Sequence, residues 1–381
     1  MNKVYIAGIG QTAVGELWER SLANLSAEAA LAALREAGSP AVDALYAGNL
    51  LAAAASKQAN LGAVITTTTG LTGVETFTAE AGEASGAAAL RMAYLAVRSG
   101  YARTALAVGV EKVTDVVGSR IESLIAQCTD YDFEAMEGMT PATLAGLLMA
   151  RYMAQYEVPA DGLAALPLLA HENAAHNPYA MYRRAITEDA YRSAGMVSDP
   201  LNIFDAAPYA DGAAAVLLTS DEAIARAGGK ALVEVRASAG AVDTLALHDR
   251  PDALAFSAVT ASTQKALTLA DMPLQAMDIY EVWDAFSIFG ALSVEATGLA
   301  ARGTGWRWLA ENRDMALVTM GGNKARGFAI GAAGVYQAVE ATLQLRGEAG
   351  ENQVAGAQNA MIQAMGGPAA NVITHILSRV D

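Results

Sequence analysis

The chain has 381 residues and a net charge of −15, and its single cysteine, Cys128, excludes an internal disulfide framework and any multi-cysteine metal site. The acidic balance, without a Lys/Arg cluster, excludes nucleic acid as an expected partner. No run of ~18 apolar residues offers a membrane span, and the opening MNKVYIAGIG has no export-signal pattern; a cytoplasmic protein is expected.

The opening "KVYIAGIGQT" predicts a buried strand ending in glycines, and "SLANLSAEAALAALREAG" carries apolar residues at helical spacing up to Gly38. "VDALYAGNL" then reads as a strand, "ALRMAYLAVRSG" as a helix stopping at Gly100 and "TALAVGVEKV" as another buried strand. Together these imply βαβ units and a parallel sheet. From about 118 to 193 strand signals fade into a mostly helical insertion, and "DGAAAVLLTSDEAIARAG" closes a first half, 1–228. A second half, 229–381, repeats the order: "KALVEVRASAGAV" as strand, "SAVTASTQKALTLADM" as helix, "DIYEVWDAF" as strand, "GVYQAVEATLQLRG" as helix, and closing strands "NQVAGAQNAMIQAMGG" and "AANVITHILSR". The repeated order suggests an internal duplication, and the lack of a Gly/Ser/Pro linker predicts one rigid body. With 53% apolar and only 17% charged residues, part of the surface is expected to meet another subunit.

Eight blocks, taken in order, resemble the thiolase superfamily, closest to its archaeal and sterol-carrier-protein branch: "GELWERS", "EAGEASGAAAL", "VGVEKVTDVVG", "NPYA", "FDAAPYADGAAA", "EVWDAF", "GGNKARGFAIGAAG" and "MGGPAANVITHIL". The resemblance implies an α/β, five-layered αβαβα fold built from two similar halves, and a homodimer or dimer of dimers. It implies a coenzyme A thioester as ligand and no other cofactor, and a small OB-fold, zinc-ribbon protein as a possible partner. The family works with a cysteine at a buried helix N-terminus, where the helix dipole and free N–H groups favour a thiolate, together with two histidines and often a second cysteine. By the same resemblance the nucleophile position holds Glu83, the two histidine positions hold Trp283 and Phe328, and the second cysteine position holds Ala364. The loop residues Asn323, Lys324, Arg326 and Gly327 are the implied substrate-binding positions.

Three roles are open to Glu83: attacking a thioester, accepting a proton as a general base, or capping its helix. Cys128, in "AQCTDYDF" and far along the chain from the Glu83 block, reads as a small buried residue rather than a substitute nucleophile. His171, His176, His248 and His375 miss the implied catalytic positions, whereas Tyr209, Tyr280 and Tyr336 lie in or beside the blocks. The string "GFAIGAAG" lacks the strand, helix and acidic residue of a dinucleotide fingerprint. The expected function is that of a thiolase-like protein without cysteine-dependent acyl transfer, acting as an acyl-CoA-binding or scaffolding subunit. The alternative is a non-cysteine retro-aldolase or decarboxylase on a CoA thioester, with Glu83 as base.

Overall fold

Strands form where short apolar runs are bounded by turn residues. In the computed structural model, which describes residues 1–380, they are β1 (Tyr5–Gln11), β2 (Ala44–Gly48), β3 (Glu75–Ala79), β4 (Thr104–Glu111), β5 (Met196–Ser198), β6 (Leu201–Asn202), β7 (Gly212–Thr219), β8 (Val233–Val242), β9 (Ile279–Glu281), β10 (Ala316–Leu317), β11 (Asn359–Gly366) and β12 (Asn371–Arg379). β5 and β6 make a separate hairpin. The other ten lie in the order β10-β9-β11-β12-β8-β1-β7-β4-β2-β3.

That order is a duplication. From the centre outward, one half runs β1-β7-β4-β2-β3 and the other β8-β12-β11-β9-β10, so in each the first strand of the half is followed by the fifth, fourth, second and third. The senses match as well: each half has two antiparallel steps followed by two parallel ones, so the sheet is mixed and not parallel as its βαβ pattern suggested, because the last strand of each half runs antiparallel to both its neighbours. The halves join through two residue pairs only, Tyr5 with Glu234 and Ile6 with Val233. β2, β4 and β7 are buried along their whole length and nearly free of charge, as strands covered on both faces must be.

The helices complete five layers. Helix Leu22–Glu36 packs on β1, β7 and β4, while helix Ser257–Ala270 packs on β8 and β12. Between the half-sheets lie the helices Ser85–Ser99 and Ala333–Arg346, which touch each other and strands of both halves. Helix Ala333–Arg346 is buried at nearly every position, and the polar residues it buries are partnered: Gln337 donates to the Glu281 carbonyl, Glu340 accepts from Arg326 and Thr342 donates to the Ala338 carbonyl. The segment between β4 and β5 is chiefly helical, with helix Pro141–Tyr156 started by a capping box at Thr140 and Thr143 and by Pro141.

Several strands are trimmed by a few residues at their ends, and two are far shorter than their sequence pattern. β9 stops at Glu281, because the carbonyls of Glu281 and Val282 bond the Gln337 side-chain amide and the chain turns away toward the site. β11 starts at Asn359, preceded by a short 3-10 turn at Gly350–Asn352 and a loop tied by the Gln344 and Gln353 amides. No helix among the described residues is long and apolar enough to cross a membrane.

Candidate active site

The Glu83 block is a tight turn feeding a buried helix. Gly82 has φ of 61°, and Ser85 locks the turn by donating to the Gly82 carbonyl at 2.5 Å and accepting from the Ala81 N–H at 3.0 Å. Opposite stands the Gly366–Gly367 loop at the end of β11. The two loops meet backbone to backbone: a Cβ on Gly366 would lie 2.1 Å from the Ala81 carbonyl oxygen. One half of the molecule thus supplies each wall.

Across that seam the Glu83 carboxylate accepts the Gly367 N–H at 2.6 Å. It does not cap the first turn of its helix, whose N-cap is Ala84 and receives no side-chain bond. The bond joins the two halves instead. Burial pushes the Glu83 carboxyl above its usual range, against the pull of the Gly367 N–H, its own N–H and the Cys128 thiol. Cys128 is therefore a neighbour of Glu83, contrary to its distance in sequence: the helical segment folds back over the site. Burial raises its thiol pKa and the Glu83 charge raises it further, so the thiol stays protonated.

Around Glu83 the open space is about 10 Å³, walled by Thr129, Leu144, Trp283, Phe286, Phe289 and Pro368. That is room for about one water molecule. Trp283 and Phe328 pack edge to face with ring centres 5.5 Å apart, both almost fully buried. Ala364 sits inside β11 opposite Ile373.

The four loop residues have separate fates. Asp284 accepts the N–H groups of Asn323 and Lys324 at 2.7 and 3.2 Å, which starts the short helix Gly322–Arg326. Arg326 turns inward to Glu340 at 2.6 Å and Asn323 at 2.8 Å, and lies over the Tyr336 ring. Gly327 takes φ of 106° with Val14 against it, so the turn demands glycine. Lys324 alone of the four borders a large cavity; its ammonium donates to the Asp205 carbonyl at 2.7 Å, and burial lowers its pKa to about 8.

This cavity, about 550 Å³, adjoins the Glu83 pocket through a shared wall, Phe286. Its lining is mainly apolar, with Ile203, Phe204, Ala207 and Pro208 alongside the polar groups Glu122, His171, Tyr209 and Lys324. Tyr209 is held from both sides: Phe328 donates to the Pro208 carbonyl at 2.9 Å and accepts from Ala210 at 3.0 Å. Asp205 and Asp211 anchor the ends of this stretch through Tyr191 and Lys112. The Tyr209 hydroxyl donates to Glu122 at 3.4 Å, and burial with the Glu122 charge drives its pKa well above normal. Sequence reading singled out Tyr209 but missed Glu122, because no motif links positions so far apart. Tyr280 and Tyr336 are committed elsewhere, to the Leu274 carbonyl and to Thr12. Among the described residues no cluster of His, Cys, Asp or Glu is arranged to hold a metal.

Two half-sheets of one topology enclosing two buried helices, with a loop from each half at the N-terminus of one of them, define a thiolase fold. The chain belongs to the thiolase family: residues 4–222 match the model "Thiolase, N-terminal domain" and residues 215–379 the model "Thiolase C-terminal domain-like". It is 39% identical to an acetyl-CoA acetyltransferase of Methanothermobacter thermautotrophicus, over the whole of both chains. It is 27% identical to sterol carrier protein 2 of Bos taurus, covering 98% of this chain and 72% of that one. Among solved structures, the "Ltp2-ChsH2(DUF35) aldolase" superposes with a TM-score of 0.85 at 22% identity, covering 99% of this chain and 98% of the other.

Proposed function

We propose that this member of the thiolase family binds acyl-CoA without transferring acyl groups through a side-chain nucleophile. The enclosure of Glu83 carries this reading: a carboxylate with about 10 Å³ of free space has no room for an acyl group. The chemistry agrees. A carboxyl whose pKa is raised and whose oxygen is occupied by the Gly367 N–H is a weak nucleophile, and no imidazole stands at Trp283 or Phe328 to activate it. The protonated Cys128 beside it is no better.

The protein is then an acyl-CoA-binding or scaffolding subunit, cytoplasmic and homodimeric. The similarity to the Ltp2-ChsH2(DUF35) aldolase supports a small second protein as partner. A second reading, a retro-aldolase or decarboxylase without a cysteine, is favoured by the 550 Å³ cavity next to Glu83 and the tyrosine fixed in its wall.

The test combines a thiolysis assay on acetoacetyl-CoA with calorimetry of acyl-CoA binding. Binding without thiolysis is expected. Measurable thiolysis, or no acyl-CoA binding by the protein alone or with its partner, contradicts the proposal.

A further inference from the structure

The helical segment carries a second open space, about 490 Å³, that shares no lining residue with the Tyr209 cavity. Its floor is one stripe of helix Pro141–Tyr156, with Leu144, Leu147, Leu148 and Arg151 at i, i+3, i+4 and i+7. Met139 and Phe133 stand where that helix begins, and Leu247, His248 and Ala253 of the second half face the stripe. From Pro141 to Arg151 the helix rises about 15 Å, nearly three turns. The groove is preformed: Glu134 accepts the Leu247 N–H at 2.7 Å and the Asp130 N–H at 3.1 Å, which ties the turn Tyr131–Ala135 to the facing loop. The Phe133 and His248 rings meet across it with centres 5.8 Å apart.

Tyr131, Phe133, Met136 and Leu147 are each more than half exposed. Large apolar side chains gathered around one groove mark a contact surface. The charges give the groove a direction. Asp132 and Glu137 lie exposed where the helix begins, Arg151 lies exposed further along it, and none of the three forms an ion pair among the described residues. A second copy of the chain does not fill this space, because in a two-fold contact the same concave strip faces itself. A convex amphipathic helix does, laying an apolar face along the groove. A helix favoured by its own dipole carries acids in its first turn and bases in its last. Such a helix meets both charged ends of the groove only when it runs antiparallel to Pro141–Tyr156.

We propose that this groove receives an amphipathic helix of a partner protein, apolar on one face, acidic at its N-terminus and basic at its C-terminus, lying antiparallel to helix Pro141–Tyr156. The inference rests on the scaffolding reading above and adds the surface and the chemistry of the partner. It does not require that an acyl-CoA be bound.

The probe is a synthetic peptide of ~18 residues, stapled on its solvent face so that it is helical in isolation. It has leucines on one face, glutamates in the first turn, lysines in the last and no net charge, so the protein's charge of −15 does not attract it as a whole. Fluorescence anisotropy on the full-length protein should show saturable binding, lost when the peptide leucines are replaced by serine. Phe133→Ser/Leu147→Ser should weaken it about tenfold or more, Arg151→Glu several-fold, and a benzophenone on the last lysine should cross-link to residues 131–139. Absence of binding, unchanged affinity in Phe133→Ser/Leu147→Ser, or cross-links at the Arg151 end overturn the inference. Two other occupants would overturn it as well. Phosphatidylcholine vesicles that bind wild type but not Phe133→Ser/Leu147→Ser would mark a lipid surface, and a smaller assembly of that variant in analytical ultracentrifugation would mark a second copy. All these results leave acyl-CoA binding standing. Thioester affinity in Phe133→Ser/Leu147→Ser should match wild type; a loss there would make the groove part of the acyl-CoA site and overturn this inference alone.

Discussion

The two spaces on either side of Phe286 have opposite characters. Around Glu83 the walls come from both halves of the molecule, aromatic rings fill the room, and about 10 Å³ remains. Around Tyr209 the walls come chiefly from the loop before β7 and the helical segment, closed by Phe286 and Lys324 of the second half, and about 550 Å³ is open. The first is a seam, where a carboxylate holds two glycine turns together; the second is a container. The position at which the family resemblance places chemistry is therefore not the position with room for a ligand. A polar residue at the end of a buried helix serves structure when its lone pairs are used by the opposite wall.

Removing the partition is expected to have the largest effect. Phe286 is buried against Phe289, with ring centres 5.1 Å apart, and Phe286→Ala should cost about 3–5 kcal/mol in chemical denaturation. Acyl-CoA binding measured below the unfolding transition should persist in this variant, because the Tyr209 cavity keeps its other walls. Loss of less than ~1 kcal/mol would mean that the partition is not packed as described.

Forcing the seam apart comes next. In Gly366→Ala the new methyl would meet the Ala81 carbonyl, and the required shift should cost roughly 1–3 kcal/mol by the same measurement. The container should be unaffected, so thioester affinity should hold. A fall in affinity as large as the fall in stability would show that seam and container are coupled.

A third effect is a pH dependence from carboxyls buried near the seam. Glu111 accepts the N–H groups of Leu50, Leu51 and Gly331, yet burial raises its pKa from 4.5 to about 7. Between these values the folded state binds more protons than the unfolded, so its contribution, complete near pH 4.5, is lost as pH rises to about 7. Glu281 and Glu340, sharing Arg326, shift the same way by burial. His375 acts in reverse: burial lowers its pKa from 6.5 to about 3, so stability is lost as pH falls across that window. Denaturation midpoints from pH 4.5 to 8 should decline less steeply in Glu111→Gln than in wild type; parallel curves would contradict the assignment.

Much of the architecture was legible in sequence, for a physical reason. Buried strands and helices need apolar runs of fixed period, and the glycines at close backbone approaches, such as Gly82 and Gly366, have no substitute. Those signals are local. The element order also carried the duplication, which the strand order and senses repeat in each half. What sequence hid was long-range: Cys128 beside Glu83, Glu122 beside Tyr209, and Phe286 dividing two spaces. β9 ended early because a side chain, Gln337, took the carbonyl bonds a strand would use. Arg326 offered a free cation in sequence, whereas in the fold Glu340 consumes it.

The most direct measurement is a crystal structure of the protein with a non-hydrolysable decanoyl-CoA thioether. The account predicts the acyl chain in the space lined by Tyr209 and Lys324, with Glu83 still bonded to the Gly367 N–H and enclosed by Trp283 and Phe286. An acyl chain lying against the Glu83 carboxylate, with Trp283 or Phe286 swung aside, would contradict it.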